Sequence, residues 1–233
     1  PIMLPGESAL ACVAEDRALG EAGIVWKPCV LGLLAATVPL VRQQRPLARV
    51  VELGAGTGAL GVALASACEG VCVALTDLPA VVPLLERNAM HASLAEGSSI
   101  LTAPLAWGAA DLPLEPHFVL CSEIFYWGGW DLFAEDTRGL LLETLLRAPD
   151  TAIICIAFTV RDRDREIDFA LARLGARFHF RLFEDEDGDE QADLTARALL
   201  AKAQLGDVLL FRARQRVRQN IDSSASTTNG VIN

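Results

Sequence analysis

Glu52 stands two residues before the first of three glycines at alternate positions, Gly54, Gly56 and Gly58. A second acid, Asp77, follows nineteen residues after the last of them. A glycine turn of this kind lets main-chain N–H groups and a helix N-terminus come close to a ligand, because a Cβ would block the approach or forbid the dihedrals. An aspartate at Asp77's distance can accept hydrogen bonds from both hydroxyls of a ribose. The chemistry these residues could serve is therefore the holding of a nucleotide-like cofactor. The glycines alone leave its identity open, since Gly54-x-Gly56-x-x-Ala59 also satisfies the Ala-ended dinucleotide pattern. Glu52 bears on the choice. It would lie against the negative charge of a pyrophosphate, whereas it suits a cationic sulfonium and an α-amino group.

The surrounding sequence supplies elements that can hold such a site. Strands are predicted at 49–53, 71–76, 99–103, 117–121, 151–158, 177–183 and 207–213. Helices are predicted at 28–42, 58–68, 79–95, 131–147, 164–174 and 191–204. Asp77 is also placed to cap a helix starting at Pro79. Strands alternating with helices imply an α/β, Rossmann-like, seven-stranded and mostly parallel sheet with helices on both faces. Apolar runs such as Thr151 to Phe158 fit strands buried on both sides. Three parts are expected: an N-terminal segment over 1–22, one domain over 23–215, and a disordered tail over 216–233. The acidic run Glu184 to Glu190 is expected to be a solvated loop, and the alternating Arg212, Arg214, Arg216 and Arg218 an exposed strand edge.

A formal net charge of −10 argues against a nucleic-acid partner, which needs clustered Lys and Arg. No apolar stretch reaches the ~20 residues of a membrane span. The six cysteines lack a C-x-x-C pair and read as small buried hydrophobes, and the three histidines are too dispersed for a metal site. A cytoplasmic monomer is the expectation. A dinucleotide oxidoreductase would need a second domain or an acid/base set, and neither is found.

Further blocks carry a resemblance. They are Gly23-Ile24-Val25-Trp26-Lys27-Pro28, Thr76-Asp77-Leu78-Pro79 with Leu84-Leu85-x-x-Asn88, Leu105-Ala106-Trp107-Gly108, Ser122-Glu123-Ile124-Phe125-Tyr126, and a helix containing Thr144-Leu145. With the glycine motif they resemble, over roughly 23–212, the methyltransferase-like protein lysine methyltransferases, a seven-strand family dependent on S-adenosylmethionine. The family carries Asp-x-x-Tyr where this chain has Glu123-x-x-Tyr126.

The resemblance implies roles. S-adenosylmethionine would be bound by Trp26, Glu52, Gly54, Ala55, Gly56, Asp77, Trp107 and Ser122, with Trp107 near the adenine. The partner would be a protein presenting a lysine. Glu123 would capture and orient that lysine, and Tyr126, the chain's only tyrosine, would bond the amine or shape its channel. Phe125, Trp127 and Trp130 would wall its stem. A small-molecule methyltransferase on the same fold and an idle cofactor-binding scaffold are the alternatives.

Overall fold

In a computed structural model of the chain, the described residues are 13–44, 46–125, 137–185 and 191–216. Seven strands form one sheet: β1 (Ala48–Leu53), β2 (Val71–Asp77), β3 (Ser99–Pro104), β4 (Phe118–Ser122), β5 (Ile153–Thr159), β6 (Phe178–Arg181) and β7 (Val208–Gln215). Their order is β3-β2-β1-β4-β5-β7-β6. The first five strands run parallel, and β7 is antiparallel to both β5 and β6. The chain thus winds outward from β1 in one direction and then, from β4, in the other. The carboxyl ends of β1 and β4 flank the crevice where open α/β sheets place ligands.

Period-two alternation divides the core between the two faces. Val50, Val73, Leu75 and Leu120 point to one face, beneath Leu33 and Leu34 of α1 (Lys27–Gln43) and Leu60 and Leu64 of α2 (Ala59–Ala67). Val51, Leu53, Cys121 and Ile156 point to the other, packed with Leu141 and Leu145 of α4 (Thr137–Leu145). The same face holds residues of α5 (Arg163–Asp168), which continues as a π turn over Phe169–Leu174, and of α6 (Gln191–Lys202). The helix α3 (Val82–Met90) follows β2. Near-continuous burial of β1, β2, β4 and β5 accounts for their unbroken apolar runs.

Some expectations are corrected. The helix expected over 79–95 occupies Val82–Met90. Its N-cap is Val81 rather than Asp77, whose Oδ1 accepts instead from the N–H of Leu78 at 2.7 Å. The strand β7 is not an edge, because β6 adds outside it. Arg212 is accordingly buried, and its guanidinium donates to the carbonyls of Leu182 and Asp185. Arg214 is exposed as expected. The true edge, β6, is blunted where Asp193 of α6 accepts the N–H of Phe180 at 2.7 Å. Tyr126, Trp127, Trp130, Arg218 and the acidic stretch 186–190 lie outside the described residues.

Candidate active site

The turn after β1 has positive φ at each alternate glycine: 59° at Gly54, 57° at Gly56 and 74° at Gly58. Gly56 is doubly constrained, because a Cβ there would also meet the carbonyl oxygen of Ala22 at 2.7 Å. Ala22 belongs to a 3-10 helix, Arg17–Gly23, that crosses the turn. Asn88 of α3 ties the two together. Its amide exchanges two hydrogen bonds with the main chain of Ala14 and donates to the carbonyl of Thr57 at 2.8 Å.

The N–H groups of this turn are used within the chain. Ala55 donates to the carbonyl of Thr76, Gly56 to Asp77 Oδ2 at 2.7 Å, and Gly58 to the carbonyl of Ala55. These three donors are therefore not available to cradle a phosphate, contrary to what a glycine turn alone suggests. What the turn presents is carboxylate. Glu52 has the parity of Val50 and points to the α2 face, where its Oε2 accepts the N–H of Gly61 at 2.8 Å. It is 3% exposed, and burial pushes its carboxyl up to about 8. Burial also raises Asp77, against the two main-chain N–H bonds it accepts.

Above the carboxyl ends of the strands lies a cavity of about 310 Å³. Trp26, Glu52, Gly54, Ala55, Gly56, Asp77, Trp107, Ser122 and Glu123 all line it. These are the cofactor and acceptor residues singled out from sequence, apart from Tyr126; Phe125, expected to wall the lysine stem, is instead buried in the core against Phe158 and Phe169. Trp26 ends the entry segment at the N-cap of α1. Trp107 sits on a loop fixed by α4: Thr144 Oγ1 accepts the N–H of Gly108 at 2.8 Å, and Arg147 donates to the carbonyl of Gly108 at 2.7 Å. The Thr144-Leu145 and Leu-x-Trp-Gly blocks are thus two halves of one support.

Four carboxylates line the cavity, Glu21, Glu52, Asp77 and Glu123, against one described cation, Arg161. Among the described residues the buried hydroxyl of Ser122 has no hydrogen-bond partner, an orphan that a polar ligand would satisfy. An excess of carboxylate, two aromatic rings and an unsatisfied hydroxyl fit a cationic adenosyl ligand and not a pyrophosphate.

Also lining the cavity, Glu123 takes φ 58°, the one described non-glycine residue with positive φ. Its Oε1 accepts from Cys29 Sγ at 2.7 Å and Thr159 Oγ1 at 2.6 Å. Its Oε2 accepts from Arg161 Nη1 at 2.5 Å and the N–H of Thr159 at 3.3 Å. Burial opposes its ionisation, but the hydrogen bonds from Arg161, Cys29 and Thr159 together with the Arg161 charge outweigh that and hold the carboxyl below its usual range. Burial and the Glu123 hydrogen bond push the Cys29 thiol up to about 12, so Cys29 is a donor here and not a nucleophile. The Arg161 guanidinium also lies 4.7 Å from the Trp26 ring centroid. Arg161, Thr159 and Cys29 carried no signal in the sequence: their partner Glu123 is 38, 36 and 94 residues away.

Residues 7–171 match a family described as lysine methyltransferase. Over 173 residues the chain is 30% identical to the protein N-lysine methyltransferase METTL21A of Danio rerio, a match spanning 70% of this chain and 71% of that protein. It is 33% identical over 144 residues to EEF1A lysine methyltransferase 3 of Mus musculus, spanning 60% of this chain and 57% of that protein. Among solved structures it is similar to a TehB-like SAM-dependent methyltransferase from Corynebacterium glutamicum, with a TM-score of 0.50 and 16% identity over 86% of this chain and 94% of that one. At that identity the likeness is one of fold.

Proposed function

We propose that this chain, which belongs to the lysine methyltransferase family and is an S-adenosylmethionine-dependent methyltransferase, methylates the side-chain amine of a lysine in a protein. The observation that carries the reading is the cavity itself. Acidic side chains, two tryptophans and the Ser122 hydroxyl line it together with Glu123 and Arg161. The names of the relatives, both lysine methyltransferases, support the acceptor class.

Bound in this cavity, S-adenosylmethionine supplies an electrophilic methyl group on a sulfonium. The chain's own residues hold and orient. Each Asp77 oxygen accepts one N–H and keeps a lone pair for a ribose hydroxyl. Glu52, whose buried carboxyl is raised to about 8, would hydrogen-bond the ligand or ionise against its positive charge, Ser122 would offer its hydroxyl, and Trp26 and Trp107 would flank the ligand. Glu123 is assigned to the acceptor side, the role that the family motif also gives Tyr126, which lies outside the described residues. Alignment of donor and acceptor carries most of the acceleration, which for well-oriented groups reaches roughly 7–11 kcal/mol. The reading extends to a cytoplasmic monomer without nucleic-acid or membrane partners. A net charge of −10 and five free thiols among the described residues are consistent with that.

The test is incubation with isotopically labelled S-adenosylmethionine and cell lysate, followed by mass spectrometry of the labelled band. The expected result is label on a lysine of a discrete protein. Label on a small molecule would overturn the acceptor class. Cofactor binding with no label on anything would leave a cofactor-binding scaffold.

A further inference from the structure

Resting on that reading of the acceptor, we propose that Arg161 is a positioning residue that neutralises Glu123 from within the chain, so that the acceptor end receives lysine as the uncharged amine rather than the ammonium. The chemistry poses a problem that the geometry resolves. A lysine nucleophile must be neutral, yet its free pKa is about 10.4. A lone carboxylate beside it would favour the ammonium. Here the carboxylate is not alone. It offers about four acceptor positions, and Cys29, Thr159 Oγ1, Thr159 N–H and Arg161 address all of them. An arriving ammonium finds a guanidinium where it would need a lone pair, and like charge at short range in a poorly solvated site favours loss of its proton.

The guanidinium is held from several sides. It pairs with Glu123, whose side chain is 7% exposed against 25% for Arg161. It covers the Trp26 ring, and it also donates to the carbonyl of Thr159 at 3.3 Å. Its main-chain N–H donates to Oε2 of the buried Glu166 at 2.8 Å. Glu123 keeps a left-handed backbone that a glutamate seldom adopts, as expected where surrounding contacts over-determine a residue.

The test needs no identified protein substrate. The full chain, loaded with S-adenosylhomocysteine, is titrated with n-butylamine as a lysine side-chain mimic and followed by NMR between pH 7 and pH 10. For the wild type, apparent affinity should rise about tenfold per pH unit, because only the neutral amine is received. In Arg161→Gln, affinity at pH 7 should be at least tenfold tighter than wild type and nearly flat with pH. The double variant Glu123→Gln, Arg161→Gln should return to the steep profile. Arg161→Met, which fills the space over Trp26, is a second charge-deleting variant, and unchanged S-adenosylhomocysteine affinity shows that the fold is kept. A flat wild-type profile, the same steep profile in Arg161→Gln and Arg161→Met, or no amine binding by any of them overturns the inference. Label on no lysine in the lysate experiment overturns the underlying reading instead. Label on lysine together with matching profiles overturns this inference alone.

Discussion

The carboxylate of Asp77 accepts the N–H of Gly56 at 2.7 Å, so the residue expected to meet the cofactor also closes the glycine turn. Asp77→Ala removes the proposed ribose contact and leaves the buried Gly56 donor unmade, a cost of about 1–3 kcal/mol. We expect S-adenosylhomocysteine affinity measured by calorimetry to fall by more than tenfold. Asp77→Asn retains an acceptor for only one of the two N–H groups that Asp77 serves, those of Gly56 and Leu78, and should fall between. Wild-type affinity in the alanine variant would show that neither role belongs to Asp77.

Glu52 makes stability depend on pH in a defined direction. Its folded carboxyl titrates at about 8, against about 4.3 unfolded. Between those values the native state binds the extra proton, so this group's contribution to stability falls as pH rises through the window and levels above it. Glu52→Gln removes the dependence while keeping an acceptor for Gly61. The difference in unfolding free energy between wild type and variant, from denaturant titrations at pH 5 to 9, should move against the wild type by on the order of 1 kcal/mol per pH unit. A difference that does not change with pH would place the carboxyl at its ordinary value.

Asn88→Ala cuts the 3-10 strap away from the glycine turn. Two donors and an acceptor are lost at a site that is 4% exposed, and a destabilisation of about 1–3 kcal/mol follows. Hydrogen exchange should accelerate over Ala14 to Gly23 and at the turn, while β5 and β7 stay protected. Equal acceleration across the sheet would mean that Asn88 supports the whole core rather than the strap.

Gly61→Ala sets two effects against each other. Alanine is favoured over glycine inside a helix by about 1 kcal/mol. The new Cβ, however, would lie 2.3 Å from Leu75 Cδ2 and 2.6 Å from Glu52 Oε2. Overpacking of a buried site costs about 1–3 kcal/mol, and Leu75 is fully buried. The net change in thermal unfolding should therefore be destabilising. A rise in Tm would show that Leu75 and Glu52 can yield.

The alternation of apolar strands and helices was legible because a parallel sheet buried on both faces needs continuous apolar runs. The cofactor side was legible for a related reason: Glu52, the glycines and Asp77 sit at strand ends close together in sequence, so their spacing records their geometry. The helix after Asp77 starts later than its sequence suggests, because Leu78, Pro79 and Ala80 are compatible with a helix start whereas Asp77 spends its side chain on Gly56 and Leu78. The acceptor side was half legible. Glu123 was visible through the motif around it, but Thr159 reaches it from the end of β5, Arg161 from the loop that follows and Cys29 from α1. No local pattern encodes such a meeting.

The closed glycine turn has a consequence for redesign. The turn is a poor cradle for a diphosphate, because Ala55, Gly56 and Gly58 have committed their donors within the chain. Exchanging side chains around the rim can retune which acceptor enters. It does not release those N–H groups, so an engineer seeking a dinucleotide enzyme from this scaffold would have to rebuild the backbone of the turn itself.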